Sequence, residues 1–158
     1  MSFKNKNYIK KINLKYDEKE EVPEFISYER QAAIHDLINE NSFSTNETNI
    51  MGPYNIEIEI IDNILIFQIN NDDNSYSKNH RIPINSLIKT VKVYHSACNL
   101  YFNSIKRGSI DKIEEIEKNR RNLHNEGADK LIKITENNFN IDHNTSRRMF
   151  TLLYSLYI

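Results

Sequence analysis

From Tyr54 to Ile69 apolar and polar residues alternate along the chain. Tyr54, Ile56, Ile58 and Ile60 stand against Asn55, Glu57 and Glu59, and beyond Asp62-Asn63 the alternation resumes at Leu65, Phe67 and Ile69. Side chains two apart share one face of a strand, so the pattern predicts a hairpin buried on one side. Asp62 and Asn63 suit its turn, because both tolerate the positive φ of a tight primed turn. Ile12, Leu14 and Tyr16 alternate with lysines and Asn13, predicting a first strand over Tyr8 to Leu14. His80, Ile82 and Ile84 would share a face of a further strand over Ser77 to Ile84. The expected sheet is antiparallel and open on its other face.

Elsewhere the period is helical. Ala33, Ile34, Leu37 and Ile38 place a first helix over about Ser27 to Asn41, with Pro23 ahead of it as a possible opening or loop end. The Asn-, Ser- and Thr-rich stretch from Asn41 to Gly52 reads as loop. Leu87, Val91, Tyr94, Cys98, Tyr101 and Ile105 form the stripe of a long second helix that Gly108 ends, after Lys106 and Arg107. Ser109 can cap a third helix, whose stripe runs through Ile113, Ile116, Leu123, Gly127, Leu131 and Ile134. Phe139 and Ile141 form a short extended link. Asn144 or Thr145 then caps a last helix bearing Met149, Phe150, Leu152, Leu153 and Leu156. Strands first and helices mostly after indicate an α+β fold: a small antiparallel sheet packed against about four helices, in one domain over residues 1–158.

Composition narrows the function classes. With 21 basic and 22 acidic residues the net charge is −1, so nucleic acid could be held only through a local basic patch. The lone Cys98, on an apolar stripe, excludes a disulfide framework and fits a reducing compartment. Lysines interrupt the apolar residues near the start, so no signal peptide is expected there. No stretch approaches the roughly 20 apolar residues of a membrane span. A soluble cytoplasmic protein is the expectation. Asn, Ile and Lys are over-used, which A/T-rich codons explain, so scattered loop asparagines carry no functional weight.

Four runs recur together in order along nearly the whole chain. They are Glu29-Arg30-Gln31-Ala32-Ala33-Ile34-His35-Asp36-Leu37 leading to Glu40-Asn41-Ser42-Phe43; Gly52-Pro53-Tyr54; Arg120-Arg121-Asn122-Leu123-His124-Asn125-Glu126-Gly127; and Thr145-Ser146-Arg147-Arg148-Met149-Phe150-Thr151-Leu152. The set resembles an uncharacterised protein family of small alphaproteobacterial proteins, with the Arg-Arg-x-Leu-His-Asn-Glu-Gly run its most specific part. The resemblance implies no activity, ligand or catalytic residue. One departure is the hairpin turn, Asp62-Asn63, where relatives tend to have Asp-Gly.

Candidate chemistry concentrates in two runs. Arg120 falls inside the apolar stripe between Ile116 and Leu123, and His124, four residues on, shares its face. An inward guanidinium needs an anion or carbonyls. Arg120 and His124 could therefore meet a phosphate or carboxylate ligand. The simpler alternative, and the preferred one, is an ion pair with Glu29, Asp36 or Glu40 on the first helix. Arg121 follows Glu117 by four, a surface pair. Gly127 either admits close helix contact or ends the helix near Asn125. Only the second would free Glu126 for acid–base work with His124. In the last helix Asn144, Thr145 and Ser146 sit at an N-terminus that attracts anions, and Arg147 and Arg148 follow in the first turn, where something negative should compensate them. Asp142 could do so alone. The sharper expectation is that this terminus and Arg120/His124 converge on one phosphate-bearing ligand.

Nucleotide-loop and zincin patterns are absent, no metal set is spaced in the sequence, and no cofactor is expected. Two functional readings stand. One is a non-enzymatic binding or regulatory module, a homodimer being open to it. The other is a protein that binds phosphate, a nucleotide or an RNA end, with Arg120, Arg147 and Arg148 as clamp and His124 with Glu126 moving protons as a hydrolase or transferase. The sequence does not decide whether the protein is an enzyme.

Overall fold

A computed structural model describes residues 6–108 and 110–158. The chain runs β1 (Ile9–Leu14), α1 (Glu24–Asn39), β2 (Phe43–Thr45), β3 (Tyr54–Ile61), β4 (Ile64–Asn71), β5 (Ser77–Pro83), α2 (Asn85–Arg107), α3 (Ile110–Thr135), β6 (Phe139–Ile141) and α4 (His143–Tyr157). The α+β order of the sequence reading is the observed one.

The hairpin forms as its alternation requires. Strands β3 and β4 pair from Tyr54↔Asn71 to Ile61↔Ile64, leaving Asp62 and Asn63 as a two-residue loop with φ of 50° and 62°. Tyr54, Ile56, Ile58, Leu65, Phe67 and Ile69 are buried on one side. Asn63→Ala is therefore expected to cost about 1 kcal/mol, since an alanine lacks the local hydrogen bonding that lets Asn adopt this conformation. Asn63→Gly should be neutral or stabilising. Urea midpoints at unchanged slope check both, and a neutral Asn63→Ala would remove the turn argument.

One pairing departs from the antiparallel expectation. The four-stranded sheet has the order β1-β3-β4-β5, and β1 joins β3 in parallel, so the sheet is mixed. The reason is topological: α1 intervenes between β1 and β3, and a helical crossover returns the chain in the same direction. A second correction concerns the Asn41 to Gly52 stretch and the Phe139–Ile141 link. Both contain three-residue strands, β2 and β6, which pair antiparallel as a separate ribbon. Phe43 and Phe139 from this ribbon meet Phe67 of the sheet, with ring centroids 4.7–6.0 Å apart. Aromatic contact, not strand length, fixes the ribbon.

The helices form two packed pairs, α2 with α3 and α1 with α4, joined by α3 against α4. Helix α1 begins at Glu24, after Pro23, three residues earlier than its apolar pattern indicated. Gly108 closes α2 in the left-handed region at φ 71°, with its N–H bonded to the carbonyls of Ser104 and Ile105. The proposed cap of α3, Ser109, lies outside the described residues. Helix α3 continues unbroken through Gly127, whose missing side chain lets α4 approach: a Cβ there would lie 2.5 Å from the ring of the fully buried Phe150. Helix α4 is capped by Asp142 in place of Asn144 or Thr145; its carboxylate accepts from the Thr145 N–H at 2.9 Å. No helix among the described residues is long and apolar enough to cross a membrane.

Candidate functional site

Arg120 is held on its own helix. Its Nε and Nη2 donate to the two carboxylate oxygens of Glu117 at 2.8 and 2.9 Å, and Nη1 donates to the Tyr94 hydroxyl at 3.3 Å. The guanidinium lies over the Tyr101 ring at 4.8 Å. Bidentate pairing of this kind uses the planar fork fully. Glu117 also takes Arg121 at 3.6 Å. The carboxylate that meets Arg120 thus comes from one turn earlier in α3, and not from Glu29 or Asp36 of α1 or from Glu40 just after it.

Glu126 and His124 diverge, because the helix between them is intact. Glu126 faces solvent and reaches Lys130 at 3.4 Å. His124 turns inward between Tyr94 and Phe150. Its Nδ1 accepts from Arg147 Nε at 3.4 Å, and its Nε2 lies 2.8 Å from Thr151 Oγ1, which in turn donates to the Arg147 carbonyl at 3.3 Å. This pattern assigns the ring proton to Nε2 and a neutral imidazole. Burial, reinforced by the charges of Arg147 and Arg120, brings the His124 pKa down to about 4. Both ring nitrogens are engaged by protein, so the ring orients Arg147 rather than offering a free base.

The start of α4 is closed by the protein itself. Thr145 is fully buried, and its hydroxyl oxygen accepts from the Ser42 N–H at 2.8 Å. Ser146 donates to the Ala128 carbonyl at 2.7 Å. Arg148 Nη1 donates to the Glu40 carbonyl at 2.8 Å. These bonds, with that of Arg30 to Ser155, run α1 and α4 antiparallel. The Thr145 hydroxyl is therefore spent on Ser42, just ahead of β2, while the two arginines that follow it remain available on their outer nitrogens.

Those arginines line a pocket of about 290 Å³ between three helices. Helix α4 supplies Asn144, Arg147, Arg148 and Thr151, and α3 supplies His124. Helix α1 forms the opposite wall with Glu29 and Asp36, the small Ala32 and Ala33 leaving the space between them. His124, Arg147 and Arg148 are thus brought together, whereas Arg120, Thr145 and Glu126 do not line the pocket. Neither Arg147 nor Arg148 forms an ion pair among the described residues. Broader open concavities lie at the β1 edge of the sheet and between α1 and α2, but neither gathers two arginines. No group of three or more His, Cys, Asp or Glu side chains among the described residues could hold a metal ion.

The most deeply buried guanidinium among the described residues belongs to Arg30, outside the candidate residues of the sequence. Arg30 is 6% exposed; it donates to Ser155 Oγ at 3.0 Å and to the Ser155 carbonyl at 2.7 Å, and lies over Tyr16 at 4.2 Å. Its signal was present: Ile26, Arg30, Ala33 and Leu37 follow helical spacing, the same pattern that drew notice to Arg120. Asn144 was within reach of the sequence as part of the anion-attracting start of the last helix, whereas Thr151 and the role of Glu29 and Asp36 in one pocket have no such local signal, since antiparallel packing of α1 on α4 brings them together.

A family model described as an uncharacterised protein family, UPF0262, matches residues 6–158. Among similar proteins, a UPF0262 protein of Bradyrhizobium sp. is 35% identical over 132 residues, covering 84% of this chain and 79% of its own. One of Paramagnetospirillum magneticum is 35% identical over 133 residues, covering 84% of each. One of Brucella anthropi is 35% identical over 132 residues, covering 84% and 82%. No solved structure matches the chain.

Proposed function

We propose that this chain, which belongs to the uncharacterised protein family UPF0262, is a non-enzymatic binding protein whose α1/α3/α4 pocket takes a small phosphate-bearing ligand. The observation that carries this reading is Arg147. Its guanidinium lines the pocket without an ion pair among the described residues, and its Nε is steadied by His124. A half-buried cation so placed gains most from an anion with several acceptor oxygens, and Arg148 beside it supplies a second fork. A pocket of about 290 Å³ suits a small molecule. Glu29 and Asp36 on its far wall oppose a polyanion such as an RNA end. Catalysis is disfavoured because His124 is neutral with both nitrogens bonded, and Glu126 is directed away. The cytoplasm, where phosphorylated metabolites abound, fits the same reading.

Isothermal titration with inorganic phosphate and simple phosphate monoesters tests it. Arg147→Gln is expected to weaken binding by on the order of thirty-fold, about 2 kcal/mol for charge-assisted bonds. Arg121→Gln, at an exposed position on α3, should leave binding unchanged. Undiminished affinity in Arg147→Gln, or no binding by the parent protein, would overturn the proposal.

A further inference from the structure

The pocket carries more charge than an anion site needs. One wall presents Arg147 and Arg148, the other Glu29 and Asp36. Across the gap between them no ion pair closes among the described residues. The reason lies in what holds each arginine: His124 takes Arg147 Nε, and the Glu40 carbonyl takes an Arg148 nitrogen. Both forks are thereby kept on the α4 side.

Glu29 and Asp36 are seven residues apart, two turns of α1 and about 10 Å along its axis, on one face. The antiparallel run of α1 against α4 puts Asp36 toward the Arg148 end and Glu29 toward the Thr151 and Ser155 end. Glu29 is the more enclosed, half-buried, and its side chain forms no hydrogen bond or ion pair among the described residues. Burial holds its carboxyl above the usual range, and the charge of Arg120 lowers it only in part. A simple phosphate would fill one end of this pocket and face repulsion from the other. A molecule carrying both charges would satisfy the two walls at once.

Resting on the anion-binding reading above, we infer that the ligand is a zwitterion: a phosphate monoester that also bears a primary ammonium group. Arg147 and Arg148 receive the phosphate, and Glu29 receives the ammonium, with Asp36 adding negative potential at the exposed mouth. Specificity then comes from the two walls presenting opposite charges to one ligand. A nucleotide, with phosphates but no alkylammonium, would leave Glu29 unpaired and is rejected on the same ground.

Three probes decide it by calorimetry: inorganic phosphate, O-phosphoethanolamine, and n-propyl phosphate, which has a methyl group where the second has its ammonium. O-Phosphoethanolamine is expected to bind the parent protein about ten-fold tighter than n-propyl phosphate. Glu29→Gln should abolish that ratio without weakening n-propyl phosphate. Equal affinity for the two esters in the parent protein overturns the inference, as does a ratio that survives Glu29→Gln. If phosphate and both esters bind alike, only the ammonium site falls. If none of the three binds, the anion-binding reading falls as well. Should Glu29→Gln fail to fold, the comparison of the two esters on the parent protein still decides.

Discussion

Gly127→Val is expected to destabilise the protein by about 3 kcal/mol, the upper end of what overpacking a close contact costs. An added Cβ would fall 2.5 Å from two ring atoms of Phe150 and 2.8 Å from a third. Phe150 is fully buried and touches Tyr94 and His124, so its ring has no room to retreat. Glycine costs roughly 1 kcal/mol of helix propensity here, which shows how much the close approach of α3 and α4 offsets. Phe150→Leu, made together with Gly127→Val, should recover most of the loss. A double-mutant cycle in urea would show the two positions coupled. Strict additivity would mean that the contact does not govern the packing of these helices.

The second large effect is acid destabilisation through His124. Its pKa is about 4 in the folded protein against 6.5 when free. Between those values the unfolded chain binds more protons than the folded one, so stability falls as pH drops from 6.5 toward 4 and levels off below. The full loss is on the order of 3 kcal/mol, with about 2 kcal/mol of it reached by pH 5. Burial lowers His80 and His95 in the same direction. Glu29, raised by burial, contributes with the opposite sign as pH falls toward its ordinary value, so the comparison must be with a variant rather than with absolute stability. Urea midpoints at pH 7.5 and pH 5 should converge by about 2 kcal/mol in His124→Gln. An unchanged pH slope in that variant would place the sensitivity elsewhere.

Long periodic segments were readable and short or non-local ones were not. The β3–β4 hairpin, β5 and α2 with its Gly108 stop follow from residue patterns within each segment, because alternation and helical stripes report burial directly. Strands β2 and β6 have three residues each, too few for a period, and exist because Phe43 and Phe139 find Phe67. The parallel entry of β1 depends on where α1 carries the chain, a property of the whole. The same division runs through the pocket. His124, Arg147 and Arg148 stand out in sequence as polar groups beside apolar stripes. Their opposing wall, Glu29 and Asp36, became part of the site only when α1 lay antiparallel to α4. Arg120, for its part, found its carboxylate three residues away rather than on another helix.

The order of elements has a consequence for biosynthesis. All strands of the large sheet have been synthesised once Pro83 is made, yet α4, the helix that rests on β3, and the Phe139 strand that meets Phe67 are made only after α2 and α3. At roughly 5–20 residues per second, the interval lasts seconds. Throughout it a sheet face of isoleucine, leucine and phenylalanine lacks its lid and is open to neighbouring nascent chains. The pace of translation beyond β5 should accordingly affect the yield of native protein.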